Sequence, residues 1–266
     1  MREHTTGADL TGLTAGSMRL AGRPDPSLPQ WWRAARWMLG MQLYLGVWFW
    51  GVIVFLWLAA VLILSRTPVG VQISYLQFAV HGALWFPFAM MVTVVAAMLT
   101  VHVATGMTRR SFLRAALLTA AAVGLAYGII LAAGLLAESA VYAAVGWEHA
   151  HVVETGDDGP ITAPAPWTGG FAVAALTYAV RTFSGAVAGL LVGITYYRFG
   201  GWRGTALLPL TVLPALLSQD ALAGLLGSFL DLPTAGYSLL ALVVPLVGTL
   251  AFARLTRSVP IATSRS

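Results

Sequence analysis

The sequence contains no lysine and no cysteine, and both absences exclude specific chemistries. All fifteen basic residues among its 266 are arginine. A phosphate-binding loop of the Walker A type needs its lysine, and a Schiff-base intermediate needs a lysine amine, so this chain can build neither. Without cysteine it forms no disulfide, thiolate nucleophile or cysteine metal site, and its redox compartment cannot be deduced from the sequence.

Charge is also scarce. Only 9% of the residues are charged and 58% are hydrophobic, whereas soluble domains are about 25% charged. The sequence therefore predicts an integral membrane protein. The net charge of +5 does not point to nucleic acid, because arginines that flank apolar segments are explained by membrane topology.

Six apolar segments are each long enough for the roughly 20 residues that a helix needs to cross the hydrocarbon core. The segments cover residues 41–64, 77–105, 115–137, 169–197, 204–229 and 237–253. They are long and apolar on all faces, which favours helices over the short alternating strands of a barrel. We therefore predict an all-α integral membrane protein with six transmembrane helices, whose transmembrane domain covers residues 31–257.

The regions outside the apolar segments predict flexible tails and one surface element. Residues 1–30 are rich in Gly, Thr, Ser and Pro and are predicted to form a flexible cytoplasmic tail, and residues 258–266 a second, short one. The stretch "PQWWRAARWMLG" combines three tryptophans with two arginines, a composition that favours the headgroup layer. It predicts a short N-terminal interfacial helix, with the flank of the first span as the alternative.

Charge in the connectors predicts the orientation of the spans. Every second connector is basic, with Arg33 and Arg36 before the first span and Arg254 and Arg257 after the sixth. The intervening connectors carry Arg66 alone or acidic residues, beginning with Glu138. The positive-inside rule then places both termini in the cytoplasm. We expect a multi-pass protein of the cell membrane.

The cytoplasmic connector between spans two and three reads "GMTRRSF". Gly106 is predicted to end the second helix and Thr108 to cap the helical turns that follow it, with Arg114 at the start of span three. From the residues alone, the arginines are either a topology signal or a docking element.

The six spans, the Trp- and Arg-rich segment before them and the G-M-T-R-R-S-F connector resemble the ABC-2-type permeases of ABC exporters. The pattern is closest to small, actinobacterial-looking members, in which a G-x-T/S-R-R-x-F connector recurs. The resemblance covers residues 30–257 and implies that the connector docks on a separately encoded ABC ATPase, which binds ATP and magnesium. The docking residues it implies are Met107, Thr108, Arg109, Arg110, Phe112 and Arg114.

The resemblance also implies an assembly. Six spans form half of a translocation path in that family, so a second permease subunit is expected, in a homodimer or a heterodimer. The chain itself is expected to bind no cofactor and to catalyse no reaction. An ion-coupled secondary transporter and a membrane scaffold without transport activity are the alternatives, and the transported substrate is not readable.

Two ionisable residues are predicted to lie at membrane depth. Arg181 in span four and Asp220 in span five have estimated depths that differ by roughly 5 Å, within the reach of an arginine side chain. They are candidates for an ion pair, which either locks two spans together or lies on the translocation path.

Glycines four residues apart predict close helix packing in span four. Gly185, Gly189 and Gly193 share one helix face, and Gly124 and Gly128 repeat the spacing in span three. Such spacing lets helix backbones approach closely in lipid. We expect contacts within the chain, with a subunit interface as the alternative.

The outer connector, residues 138–168, carries a small cluster of potential zinc ligands. The cluster consists of Glu148, His149, His151 and Glu154. Because prolines follow it, we expect an irregular, solvated loop and no metal site.

Overall fold

The chain is described by a computed structural model that covers residues 28–67, 71–104, 106–156, 159–164, 170–219 and 234–258. These residues are mainly helical. The helices are α1 (Gln30–Leu64), α2 (Ala79–Ala104, after a 3-10 turn at Leu76–Phe78), α3 (Arg109–Val145), α4 (Gly170–Ala206), α5 (Leu208–Leu217) and α6 (Thr234–Arg257). The first four are long and apolar enough to cross a membrane, and this supports the prediction of a membrane protein. Most of the two predicted tails lies outside the described residues.

Helix α1 is continuous, so the predicted separate interfacial helix is wrong and its alternative is correct. Ala34, Met38, Gln42 and Gly46 are buried at intervals of four residues, which places them on one helix face. Because this single buried stripe continues from the Trp- and Arg-rich segment into the apolar segment, packing favours one helix. Its 35 residues span about 50 Å, more than the roughly 30 Å hydrocarbon core.

One end of the bundle, named here the basic end, is defined by contacts between chain segments that carry arginine. The Gln30 amide donates to the carbonyl of Gly106 over 3.4 Å. The Arg109 guanidinium donates to the carbonyl of Arg257 over 3.2 Å, and Arg198 donates to the carbonyl of Leu255 over 3.4 Å. The start of α1, the start of α3 and the end of α6 therefore lie together.

The opposite end, named here the Glu138 end, is defined by contacts to Glu138. Trp57 in α1 and the start of the 3-10 turn before α2 both donate to this carboxylate in α3. Helices α1 to α4 therefore run alternately up and down between the two ends.

The predicted fifth span, residues 204–229, covers the last residues of α4, all of α5 and residues outside the described ranges. Thr205 Oγ1 lies 2.9 Å from the hydroxyl of Tyr196, near the basic end. Gln219 Oε1 lies 3.1 Å from Nδ1 of His81, close to the start of α2 at the Glu138 end. The chain thus returns toward the Glu138 end between these two contacts. The predicted sixth span lies within α6.

Helix α4 is the centre of the bundle and packs against α2, α3, α5 and α6. A Cβ added at Gly185 would lie 2.6 Å from the carbonyl oxygen of Leu84 in α2, and one at Gly193 would lie 2.8 Å from Cβ of Val95. A Cβ at Gly189 would overlap the carbonyl of Phe88. The three glycines of span four therefore lie against another helix of the same chain.

The glycines of α3 lie against α4 in the same way. A Cβ at Gly124 would lie 3.0 Å from the carbonyl oxygen of Ala179, and one at Gly128 would lie 2.7 Å from Cα of Ala179. Two faces of α4 are thus in close backbone contact, one with α2 and one with α3.

The outer connector forms an antiparallel β-hairpin, so the predicted irregular loop is wrong. Strand β1 covers Ala150–Gly156 and β2 covers Gly159–Pro164. Pro160 and Pro164 lie within β2, which is possible because both strands of a two-stranded sheet are edge strands. The Ser74 amide donates to the carbonyl of Ala150 over 2.8 Å, and this bond ties the hairpin to the helix bundle.

Candidate functional site

The most unusual polar group in the described residues is the carboxylate of Glu138, which is only 1% exposed. The sequence pattern placed the end of span three at residue 137 and Glu138 in a solvated connector, and that placement is wrong. Helix α3 continues to Val145 and ends at Gly146, whose left-handed backbone (φ 76°) is a helix C-cap conformation. Glu138 therefore lies two turns inside the helix.

Oxygen Oε1 of Glu138 accepts four hydrogen bonds. The indole N–H of Trp57 donates over 2.7 Å, the backbone N–H groups of Tyr75 and Leu76 over 3.1 Å each, and the hydroxyl of Tyr142 over 3.1 Å. The two backbone donors belong to the first turn before α2, where N–H groups have no partner within the helix. The carboxylate thus caps a helix start, where the helix dipole also favours negative charge.

Oxygen Oε2 of Glu138 has two further partners. The hydroxyl of Ser74 donates to it, and Nε2 of His149 lies 3.3 Å away. Ser74 Oγ also accepts from the backbone N–H of Gln77 over 3.2 Å. One carboxylate therefore joins α1, the entry to α2, α3 and the segment that leads into the hairpin.

His149 and His151 extend this site into the hairpin. The ring of His149 packs edge to face against Tyr142 and against His151, with centroid separations of 5.4 Å in both cases. His151 is 8% exposed, and its Nε2 has no hydrogen-bond partner among the described residues. Burial, with a smaller contribution from the neighbouring His149, lowers the pKa of His151 below its usual value of 6.5, while Glu138 acts in the opposite direction. The folded hairpin thus favours a neutral His151.

The arrangement is suited to holding the helices together at the Glu138 end rather than to catalysis. Six donors surround the two oxygens of Glu138, which leaves little lone-pair capacity for a substrate proton. Within the described ranges, no group of three or more His, Asp or Glu residues is placed to hold a metal ion. Glu148 is exposed.

At the basic end, the connector between α2 and α3 folds as the sequence predicts. Helix α2 ends at Ala104 and Gly106 has a positive φ of 88°. The Thr108 side chain accepts from the backbone N–H of Ser111 over 3.1 Å and so caps α3. Both predictions are confirmed.

The side chains of this connector divide into two groups. Met107 (9% exposed) and Phe112 (0% exposed) belong to the core of their own chain, so these two predicted docking residues are not available to a partner in this structure. The surface offered by the connector consists of Thr108, Arg110 and Arg114, which are exposed. Arg109 is half-buried and bonded to the end of α6.

The structure describes only one residue of the predicted Arg181–Asp220 pair. Arg181 is half-buried in α4, and its guanidinium carbon lies 5.9 Å from the ring centroid of Tyr178. Asp220 lies outside the described residues, so the pairing stays a prediction.

Comparison with known proteins gives no further assignment. No protein-family model, no curated protein and no solved structure matches this chain.

Proposed function

We propose that the chain is the membrane-spanning permease subunit of an ABC exporter and moves its substrate with ATP hydrolysed by a separate chain. The observation that carries the proposal is the connector between α2 and α3. It joins two helices of membrane-spanning length, starts a capped helix at Thr108 and exposes Arg110 and Arg114 at the basic end.

The path of the chain supports six crossings. Helices α1 to α4 alternate between the two ends, the segment through α5 returns toward the Glu138 end at Gln219, and α6 finishes at the basic end. With this count, both termini lie on the side where arginines are concentrated. The positive-inside rule assigns that side to the cytoplasm, in the cell membrane.

The exposed connector is suited to a partner that presents carboxylates. Arginine forms bidentate hydrogen bonds with carboxylates, and such pairs give both affinity and orientation. Met107 and Phe112 anchor the connector, because their side chains are buried in the hydrophobic core of this chain. Docking at Thr108, Arg110 and Arg114 would therefore transmit force directly to α3.

The partner must supply the nucleotide chemistry. Because this chain has no lysine, ATP and magnesium would be bound by the phosphate loop of the ATPase. A second permease subunit, identical or related, completes the translocation path. The Glu138 site would close the outer end while the ATPase acts at the inner end.

The direct test is purification of the tagged chain from its native membranes in a mild detergent. An ATPase chain should co-purify and hydrolyse ATP, and the Arg110→Glu/Arg114→Glu variant should lose it because the charges would repel. The Arg66→Glu variant changes an exposed arginine at the opposite end and should retain the partner.

Two results would contradict the proposal. Equal recovery of the ATPase with the Arg110→Glu/Arg114→Glu variant would remove the connector as its docking site. Transport by the chain alone, driven by a proton gradient without nucleotide, would assign it to the ion-coupled transporters instead.

A further inference from the structure

The C-terminal end of α6 is surrounded by arginines from three helices. Arg109 of α3 donates to the carbonyl of Arg257 over 3.2 Å. Arg198 of α4 donates to the carbonyl of Leu255 over 3.4 Å and to Oγ of Ser258 over 2.5 Å. Arg254 and Arg257 of α6 are themselves exposed. We name Arg109, Arg198, Arg254 and Arg257 the arginine cluster.

The described residues provide no carboxylate to balance this charge. Their three acidic residues are Glu138, Glu148 and Glu154, which lie in the second half of α3 and in the segment that follows it, at the opposite end. The helix dipole of α6 contributes only about half a negative charge at its C-terminus. Among the described residues, most of the positive charge of the cluster is therefore left without a nearby carboxylate.

The surface that leads to the cluster is apolar. Leu246 and Leu250 are 59% and 67% exposed, and Arg254 follows them at the same four-residue interval. These three residues share one helix face, on which an apolar strip ends at a guanidinium group. An apolar strip followed by a cation matches a phospholipid, because its acyl chains lie in the hydrocarbon core and its phosphate lies at the edge of that core.

A neighbouring element marks the same level of the membrane. After the left-handed turn at Gly200 (φ 76°), Trp202 is 86% exposed beside Arg203. Exposed tryptophan next to arginine is typical of the headgroup layer. The cluster therefore lies where lipid phosphates are found.

We propose that the arginine cluster binds the phosphate of an anionic membrane lipid whose acyl chains lie along the Leu246–Leu250 face of α6. The proposal does not depend on the transport function. The lipid would neutralise the cluster and fix the end of α6 against α3 and α4. A free anion would match the charge but would leave the apolar strip unused.

The test is lipid binding to the purified protein, measured by native mass spectrometry with phosphatidylglycerol and phosphatidylcholine. The Arg254→Gln/Arg257→Gln variant should bind phosphatidylglycerol about thirtyfold more weakly, since each arginine that contacts the phosphate of the bound lipid is expected to contribute a factor of about five. Phosphatidylcholine binding should be unchanged. The matched control, Arg33→Gln/Arg36→Gln, removes the same charge from the same end and should keep phosphatidylglycerol binding.

A second measurement uses the unmodified protein and so does not depend on the folding of a variant. Phosphatidylglycerol with a photoreactive acyl chain should label the peptide of residues 242–258. Labelling spread evenly over the helices, or equal labelling by phosphatidylcholine, would overturn the proposal.

Two other results would also overturn it. Loss of the phosphatidylglycerol labelling when inorganic phosphate is added would indicate a site for free anions. Unchanged phosphatidylglycerol binding by the Arg254→Gln/Arg257→Gln variant, with loss of the ATPase chain, would assign the cluster to a protein partner.

Discussion

The indole N–H of Trp57 donates a 2.7 Å hydrogen bond to Oε1 of Glu138, across 81 residues of sequence. The bond joins α1 to α3 at the Glu138 end, and the same carboxylate holds the entry to α2 and the segment before the hairpin. Hydrogen bonds to a charged group contribute about 1.5–3 kcal/mol each, and buried donors left without an acceptor cost a similar amount. Glu138 therefore contributes strongly to holding these segments together at this end.

The Glu138→Gln variant should be strongly destabilised, because its amide NH2 would face groups that are themselves donors. We expect the free energy of unfolding to fall by about 3 kcal/mol or more, seen as a lower Tm in detergent. The Glu148→Gln variant changes an exposed carboxylate ten residues further along and should stay within about 0.5 kcal/mol of the unmodified protein. Equal Tm values for the two variants would show that the Glu138 contacts add nothing to stability.

The pH dependence of stability should carry a contribution from His151. Its pKa is lowered in the folded state by burial, so the unfolded chain binds the proton more readily. Stability is therefore complete above the unfolded pKa of 6.5 and is lost as the pH falls from 6.5 toward the lowered folded pKa, by at most about 1.4 kcal/mol per pH unit. Tm measured between pH 7.5 and 5 should fall less in His151→Phe than in the unmodified protein. Identical slopes would contradict this.

Close packing in α4 gives a third prediction. The Gly185→Ala variant should be destabilised, because its Cβ would lie 2.6 Å from a backbone oxygen of α2 and the helices would have to separate. Gly51 in α1 has no atom within 4 Å of an added Cβ. The Gly51→Ala variant should therefore be neutral or gain up to about 1 kcal/mol from helix propensity. The comparison can be made by thermal unfolding in one detergent, and an equal loss in both variants would contradict the packing account.

Arg181 and Asp220 remain a predicted pair, tested by a double-mutant cycle. Each single change to alanine should destabilise by about 3–5 kcal/mol if the partner is left buried and charged. The double variant should lose less than both single losses together, as expected for direct coupling. Additive losses would exclude the pair. Retained transport in a folded double variant would show that the pair is structural.

The sequence predicted the features that depend on local chemistry. Gly106 and Thr108 were assigned as a helix end and a cap because each acts on neighbours within a few residues. The apolar segments were found because hydrophobicity is local and additive. The continuity of α1 could not be predicted in the same way, since the buried stripe from Ala34 to Gly46 is recognised only once its packing partners are known.

The Glu138 site was not predicted, because four of its six partners come from two distant segments of the chain. Hydropathy alone ends span three before the first carboxylate. The signal that could have extended it was Tyr142, four residues after Glu138 on the same helix face, followed by Gly146 as a C-cap. Nothing local indicates that Trp57 or the first turn before α2 would reach the carboxylate. The burial of Phe112 was missed for the same reason.

The sidedness of the membrane can be tested with single-cysteine variants, because the chain has no cysteine of its own. In intact cells, a membrane-impermeant maleimide should modify the Glu148→Cys variant but not the Arg110→Cys variant. Inverted membrane vesicles should give the opposite result. Modification of both variants from the same side would exclude the proposed arrangement of the two bundle ends.

The most direct test of the transport proposal is cross-linking from the same two positions in native membranes. A short bifunctional maleimide–diazirine reagent attached to the Arg110→Cys variant should capture an ABC ATPase chain, identified by mass spectrometry, and the same reagent on the Glu148→Cys variant should not. Capture from the connector alone is the result expected for a permease that docks its ATPase at the basic end. No ATPase adduct from the connector, or adducts of equal yield from both positions, would contradict it.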